Sequence, residues 1–152
     1  MNTKIILILG GYGNTGRPLT ELLLRETDAQ LIVAGRNLAR AQAFAARLNA
    51  QFGAERVLAR RADAADPASL RAALSGVDVL VVASSTADQT ANVVQAALAA
   101  RVDYLDVIYA KEKTAVLQQH AAQIAAAGCC FVTDGGFHPG LPAALVRYAA
   151  PH

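Results

Sequence analysis

At 152 residues and 54% hydrophobic content, the chain has one domain's length and enough apolar mass for a sizeable core. Its formal net charge of +2 gives no electrostatic footprint for nucleic acid or a membrane surface, and no apolar stretch approaches a membrane span. Cys129 and Cys130 are adjacent in an expected strand and point to opposite faces, which argues against a disulfide framework, and the three scattered histidines match no metal-ligand spacing.

The first element is the apolar run Lys4–Leu9, which reads as a buried parallel strand. It runs straight into Gly10-Gly11-Tyr12-Gly13-Asn14-Thr15-Gly16-Arg17, and Leu19–Leu24 reads as the helix that leaves the turn. A signal peptide is not expected, because the apolar run ends in this turn and lacks a small-residue cleavage site. Gly11, Gly13 and Gly16 fall where a dinucleotide-binding fold places its glycines. Gly11 is expected to permit the sharp turn, Gly13 to leave backbone N–H groups open to a pyrophosphate, and Gly16 to let helix and strand approach. Tyr12, Asn14 and Thr15 complete the phosphate turn, whose helix N-terminus offers free N–H groups and partial positive charge.

The second strand, Leu31–Ala34, ends in Gly35-Arg36-Asn37, twenty positions beyond Gly16. NAD-binding versions of the fold carry an acidic side chain about there to accept ribose hydroxyls. A guanidinium cannot accept, but it pairs with a 2′-phosphate and stacks on adenine. Arg36 therefore points to NADP(H), with Arg40 as a second charge and Asn37 as a donor. The alternative is that Arg36 is a solvated loop residue.

A helix over about 37–51 follows, with Leu38, Ala41, Phe44, Ala45 and Leu48 on one stripe. Arg56–Ala59 reads as a third strand, and Asp66 as the cap of a helix with Pro67 at its first position and Gly76 past its end. Val77–Ala83 is a fourth strand, 87–100 a helix and Val102–Val107 a fifth strand. One long helix is expected over about 111–127, stopped by Gly128, then a sixth strand over Cys129–Thr133 and a turn over Asp134–Gly140. The alternation predicts an α/β, doubly wound, parallel six-stranded sheet of order 3-2-1-4-5-6, a three-layer Rossmann fold.

GGYGNTGR at the first turn, VAGRN after the second strand, DYLDV in the fifth and GFHPGLP after the sixth together resemble one family. It is the NADP-binding domain of saccharopine dehydrogenase-like proteins of the saccharopine reductase type. The resemblance covers nearly the whole chain and carries cofactor roles onto Gly11, Gly13, Gly16 and Arg36. It implies an NADP(H)-dependent oxidoreductase with hydride transfer at a carbon–nitrogen bond and a small-molecule substrate. Without a signal peptide or a disulfide framework the chain is expected to be cytoplasmic, and its high apolar content with the segment Leu141–Ala150 predicts self-association. Family members continue into a substrate and dimerisation domain. Residues 1–140 are thus expected to form the cofactor domain, and 141–152 the start of a helix connecting to a further domain beyond this chain.

Ligands of such a sheet lie across the carboxyl ends of its strands. By position, Asp63 is a candidate for adenine, and Ser84, Ser85 and Thr86 for the nicotinamide-side ribose and phosphates. Each is otherwise a loop residue or a helix cap. Asp106 is either catalytic or the anchor of a neighbouring loop. His138 is either an acid or base at the nicotinamide or a turn residue beside Pro139. Tyr109 and Lys113 show the Tyr-x-x-x-Lys spacing of short-chain dehydrogenases, but the Ser expected about a dozen residues upstream is missing, and a solvated helix face explains the pair as well. Beside the enzymatic reading stands a second class, an NADP-sensing module resembling the NmrA-like proteins that transfers no hydride.

Overall fold

Six short strands pair side by side in parallel, and the segments between them cover both faces of the resulting sheet. The computed structural model describes residues 3–53, 55–135 and 148–150. Its strands are β1 (Ile5–Leu9), β2 (Gln30–Gly35), β3 (Val57–Arg61), β4 (Val79–Val82), β5 (Asp103–Asp106) and β6 (Phe131–Val132). Its helices are α1 (Gly16–Glu26), α2 (Leu38–Phe52), α3 (Pro67–Ala73), α4 (Thr90–Ala100), α5 (Lys111–Gln119) and α6 (Ala121–Ala127), with a 3-10 turn at Ala87–Gln89. The strand order is β3-β2-β1-β4-β5-β6, the doubly wound Rossmann order that the alternation predicts.

Strand periodicity divides the core. Leu7, Leu9, Ile32, Ala34, Leu80 and Val82 face α3 and α4, packing on Leu70, Leu74, Val93, Val94 and Ala97. On the other face Leu31 and Val33 meet Leu24, Ala41, Phe44 and Leu48, while Ile8 and Val81 meet Leu19 and Leu23 of α1. Each fully buried Leu or Ile contributes roughly 1.5–3 kcal/mol over exposure. At the amino ends of the strands, the Asp78 carboxylate accepts from the Ile5 N–H at 2.8 Å and from Lys4 Nζ at 2.9 Å, tying β1 to β4.

Local sequence signals explain the helix ends. Asn37 Oδ1 accepts from the Arg40 N–H, and Asp66 accepts from the Ala68 and Ser69 N–H groups with Pro67 at the first helical position. Three expectations are corrected. Leu38, the first residue of α2, is exposed, and the buried stripe of the helix consists of Ala41, Phe44, Ala45 and Leu48. The single helix expected over 111–127 breaks at His120, whose N–H bonds back to Leu117 O, three residues earlier, and whose Nδ1 lies 2.9 Å from Val116 O. The sixth strand is shorter than expected because the N–H of Cys129 bonds to Ile124 O and that of Cys130 to the Asp103 carboxylate. The turn residues from 136 to 140, His138 among them, lie outside the described residues, as does the segment from 141 apart from 148–150. Among the described residues no helix is long and apolar enough to cross a membrane.

Candidate cofactor site

From β1 the chain winds one way through β2 and β3, then returns to continue through β4, so the loops after β1 and β4 part and leave a crevice between them. The crevice is an open cleft of about 600 Å³. Its walls come from the turn after β1 (Gly10, Tyr12–Thr15), the end of β2 (Gly35, Arg36), the segment after β3 (Ala62–Ala65) and the segment after β4 (Ala83–Thr86).

The glycines divide the labour differently from the expectation. Gly10, not Gly11, adopts the left-handed backbone, with φ of 83°, and its N–H donates to Ala34 O at 2.8 Å. Gly11 is needed for packing, since a Cβ there would lie 3.1 Å from Val33 Cγ1 and 3.0 Å from Ile8 O. A Cβ on Gly16 would lie 2.2 Å from Gly10 O and 2.5 Å from Gly11 Cα, so only glycine lets α1 start this close to the turn. Unlike Gly11 and Gly16, Gly13 lines the cleft, and a Cβ there would meet only Gly10 O, at 3.0 Å.

The amides of Asn14, Thr15 and Gly16 donate to no group among the described residues. The first turn of α1 carries no acidic side chain to neutralise its positive end. At the other end of the cleft, Arg36 is exposed and makes no ion pair among the described residues. The Arg40 guanidinium lies 5.1 Å over the Tyr12 ring, and the Tyr12 hydroxyl accepts the Asn37 N–H at 3.0 Å. Asn37 is thus committed to capping α2 and seating Tyr12, and it does not line the cleft. Asp63 does line it, with one carboxylate oxygen accepting from the Ala65 N–H at 3.1 Å. Ser84 and Ser85 also line it, and Ser84 Oγ lies 3.2 Å from Thr86 Oγ1.

Asp106 stands apart from the cleft, 1% exposed. It accepts hydrogen bonds from Lys113 Nζ, from the Tyr104 hydroxyl at 2.7 Å, from the Thr133 hydroxyl at 3.0 Å and from the Asp134 N–H at 3.1 Å. That is the arrangement of a loop anchor. Burial, then the hydrogen bond to Asp106, push the Tyr104 phenol well above its ordinary pKa and keep it a donor. Tyr109 is 68% exposed and precedes α5, whereas Lys113 is buried, so the two share no face. Sequence reasoning left Lys113 on a solvated surface. The missed signal is its place one turn before Leu117, on the buried stripe of α5.

A family described as the saccharopine dehydrogenase NADP binding domain matches residues 6–131. The chain belongs to that family. It is therefore an NADP-binding domain, and its fold agrees with solved relatives. Saccharopine dehydrogenase (L-Glu forming) from Saccharomyces cerevisiae is 26% identical with a TM-score of 0.75, over 97% of this chain and 31% of the yeast protein. Citrobacter sp. triphenylmethane reductase, solved with NADP(H), is 25% identical with a TM-score of 0.63, over 84% of this chain and 48% of its own. Quinone oxidoreductase 2 of Escherichia coli (strain K12) is 38% identical over 107 residues, 66% of this chain and 35% of that protein. The chain spans about a third of the length of the yeast and E. coli relatives.

The residues present fit NADP(H). Free amides at an acid-free helix start suit a pyrophosphate, and a guanidinium stands where NAD-specific sites need a carboxylate.

Proposed function

We propose that the cleft binds NADP(H) through residues of this chain and that the domain serves an oxidoreductase acting at a carbon–nitrogen bond. The observation that carries the cofactor assignment is Arg36, exposed at the end of β2 with no carboxylate paired to it among the described residues. In this reading Arg36 pairs with the 2′-phosphate, and Arg40, stacked on Tyr12, adds a second positive charge. Asn14, Thr15 and Gly16 give their N–H groups to the pyrophosphate, while Gly13 leaves the approach clear. The Tyr12 hydroxyl accepts from Asn37 and keeps its own proton to donate at the rim. Asp63 faces the adenosine half, and Ser84 and Ser85 face the nicotinamide half. When bound, NADP(H) supplies or accepts a hydride.

The carbon–nitrogen chemistry is supported by the family match and by the fold likeness to the yeast saccharopine dehydrogenase. In this reading substrate is held by polypeptide outside the shared region, which makes up about a third of the yeast and E. coli relatives. One observation favours a second reading, an NADP-sensing module without turnover. Among the described residues the β4 side of the cleft offers Ser84, Ser85, Thr86, Gln89 and Ile108, none of which is an acid or base at neutral pH.

Turnover by the intact polypeptide separates these readings. NADPH oxidation that requires both a 2-oxo acid and an amine supports carbon–nitrogen chemistry. Oxidation with a quinone and without an amine overturns it. Tight NADPH binding with no turnover on either substrate class favours the sensor.

A further inference from the structure

A buried charge cluster adjoins the cleft on its β5 side. Lys113 is 3% exposed, and its ammonium has three N–H donors. Three acceptors surround it: Asp106 Oδ1, Ile108 O, and Asp134 Oδ1 at 2.8 Å. Every donor is engaged and none reaches Tyr109, so Lys113 does not assist a Tyr109 phenol as the Tyr-x-x-x-Lys spacing would require. What it does is mechanical. The end of β5, the loop of residues 107–110 and the segment after β6 all meet on this one ammonium.

Ile108 gives that junction its consequence. Its carbonyl is held by Lys113, and the residue itself lines the cofactor cleft beside Ser84, Ser85 and Thr86. A hollow of about 10 Å³ is lined by Lys113, Asp106 and Tyr104 together with Ile108, Ser84 and Thr86. It has room for about one water, so the cluster and the cleft wall are immediate neighbours. Without the ammonium, the carboxylates of Asp106 and Asp134 would face each other uncompensated, and the loop would have to move to separate or hydrate them.

We propose that Lys113 is a positioning residue for the nicotinamide half of the cleft. It fixes the Ile108 wall through Asp106, Asp134 and the Ile108 carbonyl. The inference rests on the reading of the cleft as a dinucleotide site. It goes beyond that reading by assigning the wall to a residue that lies outside the cleft.

The test is calorimetric titration of the full chain with two probes, NADPH and 2′-phospho-ADP-ribose, which lacks the nicotinamide. Through the displaced Ile108 wall, Lys113→Met should weaken NADPH by about tenfold and the fragment by less than about twofold. Asp134→Asn is the milder variant. Asp134 has φ of 57°, a conformation that Asn also tolerates, so only the charge partner of Lys113 changes. It should weaken NADPH a few-fold and leave the fragment unchanged, and it decides the matter if Lys113→Met does not fold. Equal losses on both probes, or wild-type NADPH affinity in folded variants, would overturn the inference. A wild-type chain that binds neither probe would defeat the dinucleotide reading itself, and the inference with it.

Discussion

Tyr12 and Gly35 are packed so closely that a Cβ built on Gly35 would lie 2.6 Å from the Tyr12 hydroxyl oxygen. The ring occupies the space a side chain at position 35 would need. It connects the turn after β1 to the start of α2, because its hydroxyl takes the Asn37 N–H and its face carries Arg40. The glycine of VAGRN thus leaves room for the tyrosine of GGYGNTGR to seat. Gly35→Ala should displace the ring toward the open cleft, weaken NADPH binding and lower stability by about 1 kcal/mol, the worth of the lost Asn37 hydrogen bond. Tyr12→Phe should cost about 1 kcal/mol by removing one acceptor. Denaturant unfolding and NADPH titration of both variants check this, and a Gly35→Ala protein with native stability would contradict the packing argument.

The glycines of the phosphate turn should separate under mutation. Gly13→Val should strain only the turn, because its Cβ is tight against Gly10 O alone, at 3.0 Å, yet it should abolish measurable dinucleotide binding by filling the space before the free amides. Gly16→Ala should do the reverse damage. Its Cβ would overlap Gly10 O and Gly11 Cα, both backbone atoms that cannot swing aside, so destabilisation of about 3 kcal/mol or more is expected. Circular dichroism with thermal melts, paired with NADPH titration, distinguishes a folded non-binder from an unfolded chain.

The sheet was legible because parallel strands buried on both faces read as nearly unbroken apolar runs, and Lys4–Leu9 and Val77–Ala83 are such runs. Asp66-Pro67 was legible as a helix start because capping is local chemistry. Tertiary relationships were not. Nothing local distinguishes Gly10 from Gly11 as the residue with positive φ; Gly10 is the one that lies against Ala83 and Ser84, after the neighbouring strand β4. The engagement of Lys113 depends on Asp134, twenty-one positions away, returning beside β5. The break at His120 has no proline or glycine to announce it.

Acid should loosen the amino-terminal edge of the sheet. The Ile5 N–H, then the Lys4 ammonium, hold the Asp78 carboxyl below its ordinary value. A depressed folded-state pKa means the stabilisation is present above the unfolded value, about 3.9, and is lost as pH falls through the folded one. The effect should be small, because solvent reaches both partners. Asp78→Asn should lower stability slightly at neutral pH and flatten the pH dependence below about pH 4. Unfolding curves across the acid range would show it, and an unchanged acid limb in the variant would rule Asp78 out as its source.

Cofactor preference tests the central claim most directly, through calorimetric titration of the chain with NADPH and NADH. If Arg36 pairs with the 2′-phosphate, NADPH binds tighter by about 2–3 kcal/mol, the worth of charge-assisted hydrogen bonds in a partly exposed site. Arg36→Asp then abolishes or reverses the preference, because a carboxylate repels the phosphate and accepts from ribose hydroxyls. Equal affinities of the wild-type chain for the two cofactors, or a preference that survives Arg36→Asp, would contradict the account.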